Sequence, residues 1–258
     1  MRLRPAAIVV LLAALAIPLA LELGGRSAFA QSRRGAGQAA ETVPYDSHFV
    51  FTRIRYGATL GGRFFGGGGW AHDYPTAERN FAAILDYITN TRVRLDGSNI
   101  LSLDDPRIFE NPVIYMSEPG YWTTNDAEAK NLRAYLLKGG FLIFDDFEGD
   151  RDWRNLVAQM RRALPDHHFI PLDVTHPVFQ SFFSIKHLDV PHPTVNVSPS
   201  FLAMFDNNDP SGRMLALANW NNDLGDYWEW SAEGLYGSDP TNDAYRLGVN
   251  YLVYAMTH

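Results

Sequence analysis

Gly139-Gly140-Phe141-Leu142-Ile143-Phe144-Asp145-Asp146 is the stretch on which the fold turns. Four apolar residues run uninterrupted between a glycine pair and two aspartates. A strand covered on both faces needs this pattern, since neither face then meets water. The stretch predicts the middle strand of a mostly parallel sheet. Just upstream, Asn125 followed by Glu128 forms a capping-box start for a helix whose face is Leu132, Tyr135 and Leu136, and the glycine pair stops it. A helix over 151–164 is predicted downstream.

Working outward, 48–56 reads as the first strand, with Phe49, Phe51, Ile54 and Tyr56 among charged residues, and 57–69 as a glycine-rich loop. A helix is predicted from Asp73 as N-cap, with Pro75 in its first turn and Phe81, Ile84, Leu85 and Ile88 at helical spacing, ending by Asn90. Short strands are expected near Val93, at 113–116, 169–172 and 214–219, and a closing helix over 242–256. The stretch 175–211, rich in Pro, His and Phe, gives no regular assignment. Strand-like and helix-like segments alternate without a fixed-period repeat, so the class is α/β.

Residues 1–30 have the parts of a secretory signal: Arg2 and Arg4, an apolar stretch over 6–21, and Ala28-Phe29-Ala30 before Gln31. The alternative is a retained anchor, for which the apolar stretch is slightly short. Cleavage after Ala30 is expected, then a flexible linker over 31–47, then a single domain over 48–258, exported to the periplasm or beyond. The whole chain carries 22 basic and 29 acidic residues; without the first thirty it carries 19 and 28, a formal charge of −9. That balance argues against a nucleic-acid partner. With no cysteine there are no disulfides, thiolate metal sites or cysteine nucleophiles.

Ligands of an open parallel sheet bind outside the carboxyl ends of its strands, where the loops diverge. Those exits carry Arg53 and Tyr56; Ser117 and Glu118; Asp145 and Asp146; and Asp223, Asp226, Trp228 and Glu229, while Trp70, His72, Asp73 and Tyr74 follow the glycine loop. Asp145-Asp146 is the sharpest signal, because neighbouring carboxylates in a dry site serve as acid–base pairs or hold hard cations. The competing reading has Asp145 in solvent and Asp146 or Asp150 capping the next helix. Trp220, Trp228 and Trp230 with Tyr227 have the composition of a stacking platform, or of a core. The glycine loop lacks a phosphate-loop ending and reads as a flap. The histidines show no metal-ligand spacing and read as structural or exposed. No serine-hydrolase elbow is present.

Phe51-x-Arg53-x-x-Tyr56, Trp70-x-x-Asp73-Tyr74-Pro75, Asp145-Asp146-Phe147, His176-Pro177-Val178, Asn222-Asp223-Leu224-Gly225-Asp226-x-Trp228-Glu229 and Arg246-Leu247-Gly248-Val249-Asn250 together resemble the bacterial domain-of-unknown-function family 4159. The resemblance spans roughly 48–257. It implies a flavodoxin-like three-layer sandwich of the class I glutamine amidotransferase-like kind, with Asp145-Asp146-Phe147 at the turn where active amidotransferases carry their cysteine. Without a thiol, that chemistry is excluded.

The expected function is an envelope ligand-binding or protein-interaction module around one crevice. The alternative is a hydrolase using Asp145 or Asp146, with Mg²⁺ or Ca²⁺ held by carboxylates; no other cofactor is expected. The partner is an unidentified envelope ligand or protein, and the membrane is met only through an uncleaved leader. A third reading is a scaffold docking through the stretch 178–205.

Overall fold

The computed structural model describes residues 43–258 except 61–62 and 65–68. The leader and residues 31–42 of the linker lie outside the described residues. Among the described residues, no helix is long and apolar enough to cross a membrane.

The strands are β1 (Thr52–Ile54), β2 (Gly57–Leu60), β3 (Arg63–Phe64), β4 (Asn99–Leu101), β5 (Val113–Ser117), β6 (Trp122–Thr123), β7 (Phe141–Phe147), β8 (Ile170–Pro171), β9 (Ser200–Phe205) and β10 (Met214–Trp220). The helices are α1 (Thr76–Ile88), α2 (Asp126–Leu137), α3 (Gly149–Ala163), α4 (Leu224–Glu229) and α5 (Ser238–Thr257). The main sheet runs β4-β1-β5-β7-β10-β9-β8, which puts β7 in the middle as its apolar run predicts. Strands β4, β1, β5, β7 and β10 are mutually parallel, and β9 and β8 add antiparallel at one edge. In chain order the parallel strands lie 2-1-3-4-5, the doubly wound flavodoxin order. A small sheet β3-β2-β6 flanks it.

Alternation along the strands explains the layers. Tyr115, Ile143 and Leu217 join one apolar cluster with Phe81 and Leu85 of α1, Trp228 of α4 and Tyr251 of α5. Ile114, Leu142, Phe144, Ala216 and Ala218 join the other with Leu132 and Leu136 of α2 and Leu156 and Met160 of α3. Neighbouring side chains on each strand thus face opposite helical layers. Burying each large apolar side chain contributes roughly 1.5–3 kcal/mol, so both faces of the sheet are committed to core. Function is left to the strand ends.

Local chemistry sets several boundaries. Asn125 Oδ1 accepts from Glu128 N at 3.0 Å and Glu128 Oε2 accepts from Asn125 N at 2.9 Å, the reciprocal cap expected for α2. Gly139, at φ 117, ends that helix. The start of α1 differs from expectation. Asp73 does not cap it: its φ is 63, its side chain is buried, and the N-cap position belongs to Pro75. The first strand is also shorter than 48–56, with Phe49 forming only an isolated bridge to Val93. The unassigned 175–211 stretch contains β9, and Asn250 of α5 ties that stretch down by accepting from Phe182 N and Phe183 N at 3.1 and 2.7 Å.

Candidate functional site

Because β5, β7 and β10 are parallel neighbours, their carboxyl ends open on one rim. The register pairs Ser117 with Asp145, and the exit of β10 delivers Asn219 through Asp226 beside them. A fourth segment, residues 69–73, is brought in by Arg53. This fully buried guanidinium is paired through Nε with Glu78, and its Nη1 donates to the carbonyls of Trp70 and His72 at 2.9 and 2.8 Å. Burial opposes its charge, but Glu78, Tyr115 and Asp73 keep it raised above the usual arginine range. Arg53 therefore clamps the loop backbone and does not neutralise Asp146.

The two aspartates of β7 have opposite fates. Asp145 is fully buried and satisfied: Oδ2 accepts from the Tyr115 hydroxyl at 2.9 Å and from Leu224 N and Gly225 N at 2.9 and 3.0 Å, while Oδ1 accepts from Asn219 Nδ2 at 2.9 Å. Burial pushes it up to about 6 against these donors. It is the bolt between β7 and the start of α4. Asp146 turns into the rim with a left-handed φ of 60. Its Oδ2 accepts from His72 Nδ1 at 2.8 Å and Ser117 Oγ at 2.9 Å. Burial opposes its charge, but the His72 bond holds it below the usual carboxylate range. Neither the solvent-facing reading of Asp145 nor the capping reading of Asp146 holds, since both are buried and α3 has Glu148 at its N-cap.

His72 sits among acids. The bond to Asp146 raises its imidazole to about 11, with Asp73, Asp146 and Glu118 adding attraction and burial opposing. A ligand atom of His72 lies within 4.8 Å of carboxylate oxygens of Asp73 and Asp226, and likewise of Asp146 and Asp223. Asp73 and Asp223 are both pushed well up, chiefly by burial and then by Asp146. Glu118 is pushed up to about 7 for the same two reasons. Left-handed φ recurs at Asp73 (63), Glu118 (46), Asp146 (60) and Asn221 (58). Such backbone concentrates where a site over-determines it. Glycine serves the same rim by close approach: a Cβ on Gly69 would fall 1.7 Å from Glu118 Oε2, and one on Gly225 2.3 Å from Asp73 Oδ2.

Other predicted residues are scaffold. Tyr56 lies under the rim, its hydroxyl 2.9 and 2.6 Å from the carbonyls of Ser117 and Glu118. Trp228 is a core side chain, with its ring 4.7 Å from that of Phe81, and offers no stacking face. Asp223 caps α4 by accepting from Asp226 N at 2.9 Å, and Asp226 Oδ2 accepts from the Tyr236 hydroxyl at 2.9 Å. Glu229 closes α4, raised by burial and by Asp226. Trp70 is half-buried above Arg53, whereas Tyr74 lines a separate cavity of about 480 Å³ with Glu78, Arg79 and Asp96. His72 and Ser117 join the rim from the two places where the sequence puts them beside other candidates, but no motif marks their roles. His72 follows the glycine loop and lies 74 residues from Asp146, so no local spacing marks the pair.

The comparison with curated proteins gives no match. A family model does: the Domain of unknown function (DUF4159) matches residues 50–256, which take in the elements from β1 to all but the last residue of α5, and the whole rim. The chain belongs to the DUF4159 family.

Proposed function

We propose that the protein is an exported, carboxylate-dependent hydrolase working through Asp146, His72 and Glu118, on a class I amidotransferase-like scaffold in which a carboxylate occupies the turn of the thiol. The observation that carries this reading is the Asp146–His72 pair, 2.8 Å apart, at a left-handed residue near the end of β7. Two carboxyls with oppositely displaced pKa values are how one site runs acid and base chemistry together. Asp146 is held ionised, while Glu118, raised to about 7, is about half protonated near neutrality. With Oδ2 committed to His72 and Ser117, Asp146 Oδ1 is the oxygen left to meet an electrophilic carbon or an attacking water. Glu118 delivers its proton to the leaving oxygen.

Half-buried rings near the strand exits, Trp153 against Trp220 at 5.1 Å and Tyr121 under Arg151 at 5.0 Å, suit a carbohydrate-class substrate. The test is turnover on a panel of chromogenic glycosides and esters. Wild type is expected to turn over a member of the panel and Asp146→Asn to lose at least about 100-fold. Turnover equal in the two proteins, or none in wild type, overturns the reading.

A non-catalytic ligand-binding module is the second reading, favoured by one fact: the Asp146 side chain is only 9% exposed. Binding of an envelope glycan without turnover, retained in Asp146→Asn, would select it.

A further inference from the structure

Asp73 has no account in the hydrolytic scheme. Its side chain is wholly buried, yet neither carboxylate oxygen has a hydrogen-bond partner among the described residues. The nearest nitrogen, His72 Nδ1, is 3.2 Å from Oδ1, but it carries a single hydrogen and directs it to Asp146 at 2.8 Å. The backbone is no help, because Asp73 at φ 63 is turned away from the helix start that an aspartate in this place would ordinarily cap. A buried carboxylate without donors is costly, and chains retain such groups when something positive completes them. Arg53 and His72 bring positive charge near Asp73, but neither donates a hydrogen bond to it, and its other charged neighbours are acids: Asp226, steadied by the Tyr236 hydroxyl, and Asp146, which with Asp223 also approaches His72.

We propose that Asp73, Asp226 and His72 bind one divalent transition-metal ion, with Asp146 and Asp223 bordering it, the ion displacing a ring proton that His72 carries in the metal-free protein. The donor atoms of the three residues lie within 4.8 Å of one another. An ion at about 2.0–2.4 Å from each donor keeps donors no more than about 4–5 Å apart, so the set is already at coordination spacing. Two carboxylates with an imidazole and no thiolate select Mn²⁺ or Zn²⁺ over Ca²⁺, which takes oxygen ligands, and over thiophilic ions. The Tyr236 hydroxyl on Asp226 is the outer support that ligating carboxylates use. Gly225 completes the site, since any side chain there would occupy the Asp73 carboxylate. The inference shares its rim with the hydrolase reading but does not require turnover.

The test uses the purified full chain, stripped with chelator and desalted, then titrated with Mn²⁺ alone by calorimetry and electron paramagnetic resonance, with Zn²⁺ and Ca²⁺ in parallel. Wild type is expected to bind one Mn²⁺ per chain, to gain several degrees in melting temperature at saturation, and to bind Ca²⁺ at least about tenfold more weakly. Asp73→Asn is expected to lose Mn²⁺ affinity by about 100-fold or more, yet to melt at or above wild type without metal, because the unpartnered charge is gone. Asp226→Asn provides a second loss-of-binding variant should the first misfold. Absence of stoichiometric uptake of both Mn²⁺ and Zn²⁺ by wild type, or unchanged affinity in either folded variant, overturns the proposal. Uptake without hydrolysis ends the hydrolase reading and leaves the metal site. Hydrolysis by stripped protein that takes up no metal does the reverse.

Discussion

His72 Nδ1 donates to Asp146 Oδ2 across 2.8 Å, joining a half-exposed imidazole to a carboxylate on a left-handed turn at the end of the central strand. This bond makes the rim more than a gathering of acids, because it keeps one carboxylate charged while its neighbours are pushed toward the protonated form.

Metal-free protein should lose stability as pH rises through the neutral and alkaline range. His72 is raised from 6.5 to about 11 by the Asp146 bond, so its contribution is complete below pH 6.5 and disappears as pH climbs toward 11. Asp73 and Asp223, raised in the folded state, act in the same direction from about pH 4 upward. Asp146 is lowered and opposes them only in acid, its contribution being present above 3.8 and lost as pH falls. Urea unfolding of wild type and His72→Gln at pH 6 and pH 9 should show a difference that shrinks by about 1 kcal/mol, a figure discounted for screening of the half-exposed ring. A constant difference contradicts the pairing.

Asp145 should matter for folding and Asp146 for chemistry. Asp145→Ala strands the Tyr115 hydroxyl, the Asn219 amide and two backbone N–H groups at the start of α4. With each buried unpaired group costing about 1–3 kcal/mol and the terms not additive, a loss of about 3 kcal/mol or more is expected by chemical denaturation. Asp146→Asn should stay within about 1 kcal/mol of wild type, because an amide oxygen can still accept from His72 and Ser117.

Arg53 acts as a positioning residue. Arg53→Met leaves Glu78 buried without its partner and frees the carbonyls of Trp70 and His72, so a loss of about 3–5 kcal/mol is expected. The double variant Arg53→Met/Glu78→Leu should recover much of that stability without restoring the His72 position. Recovery of turnover in the double variant would contradict the clamp.

At Gly248, α5 packs directly against Phe81 and Trp228. A Cβ there would meet Phe81 Cε2 at 2.6 Å and Trp228 Cζ2 at 2.7 Å, so Gly248→Ala should cost about 1–3 kcal/mol by overpacking. Trp228→Ala, which empties the same contact, should cost about 3–5 kcal/mol. Thermal melts of both variants check the assignment of Trp228 to the core rather than to a binding platform.

Local signals carried much of the fold. The run Phe141 to Phe144 marked the middle strand because only a strand buried on both faces can be so uniformly apolar, and Asn125 with Glu128 marked the start of α2 through four residues alone. Strand β9 was hidden by its setting among prolines and histidines, and α4 is too short to display a helical period. At the site, Asp146, Glu118, Asp223 and Asp226 were legible as acids at strand exits, and Asp73 as an acid after the glycine loop. Their roles were not, because Asp145 and Asp146 are adjacent in sequence and differ only in which distant donors reach them. Asp73 looked like a helix cap for want of its backbone angle, and His72 stood beside the candidates after the glycine loop without any sign of its pairing, since its partner arrives from another strand.

The state of the His72 ring is the most direct measure of whether the rim works as one unit. Nitrogen-15 NMR of chelator-stripped protein should show His72 still protonated at pH 8.5, and titrating at least about two pH units lower in Asp146→Asn. A His72 that titrates near 6.5 in both proteins would mean that the 2.8 Å bond to Asp146 does not exist in solution, and the rim would lose its charged pair.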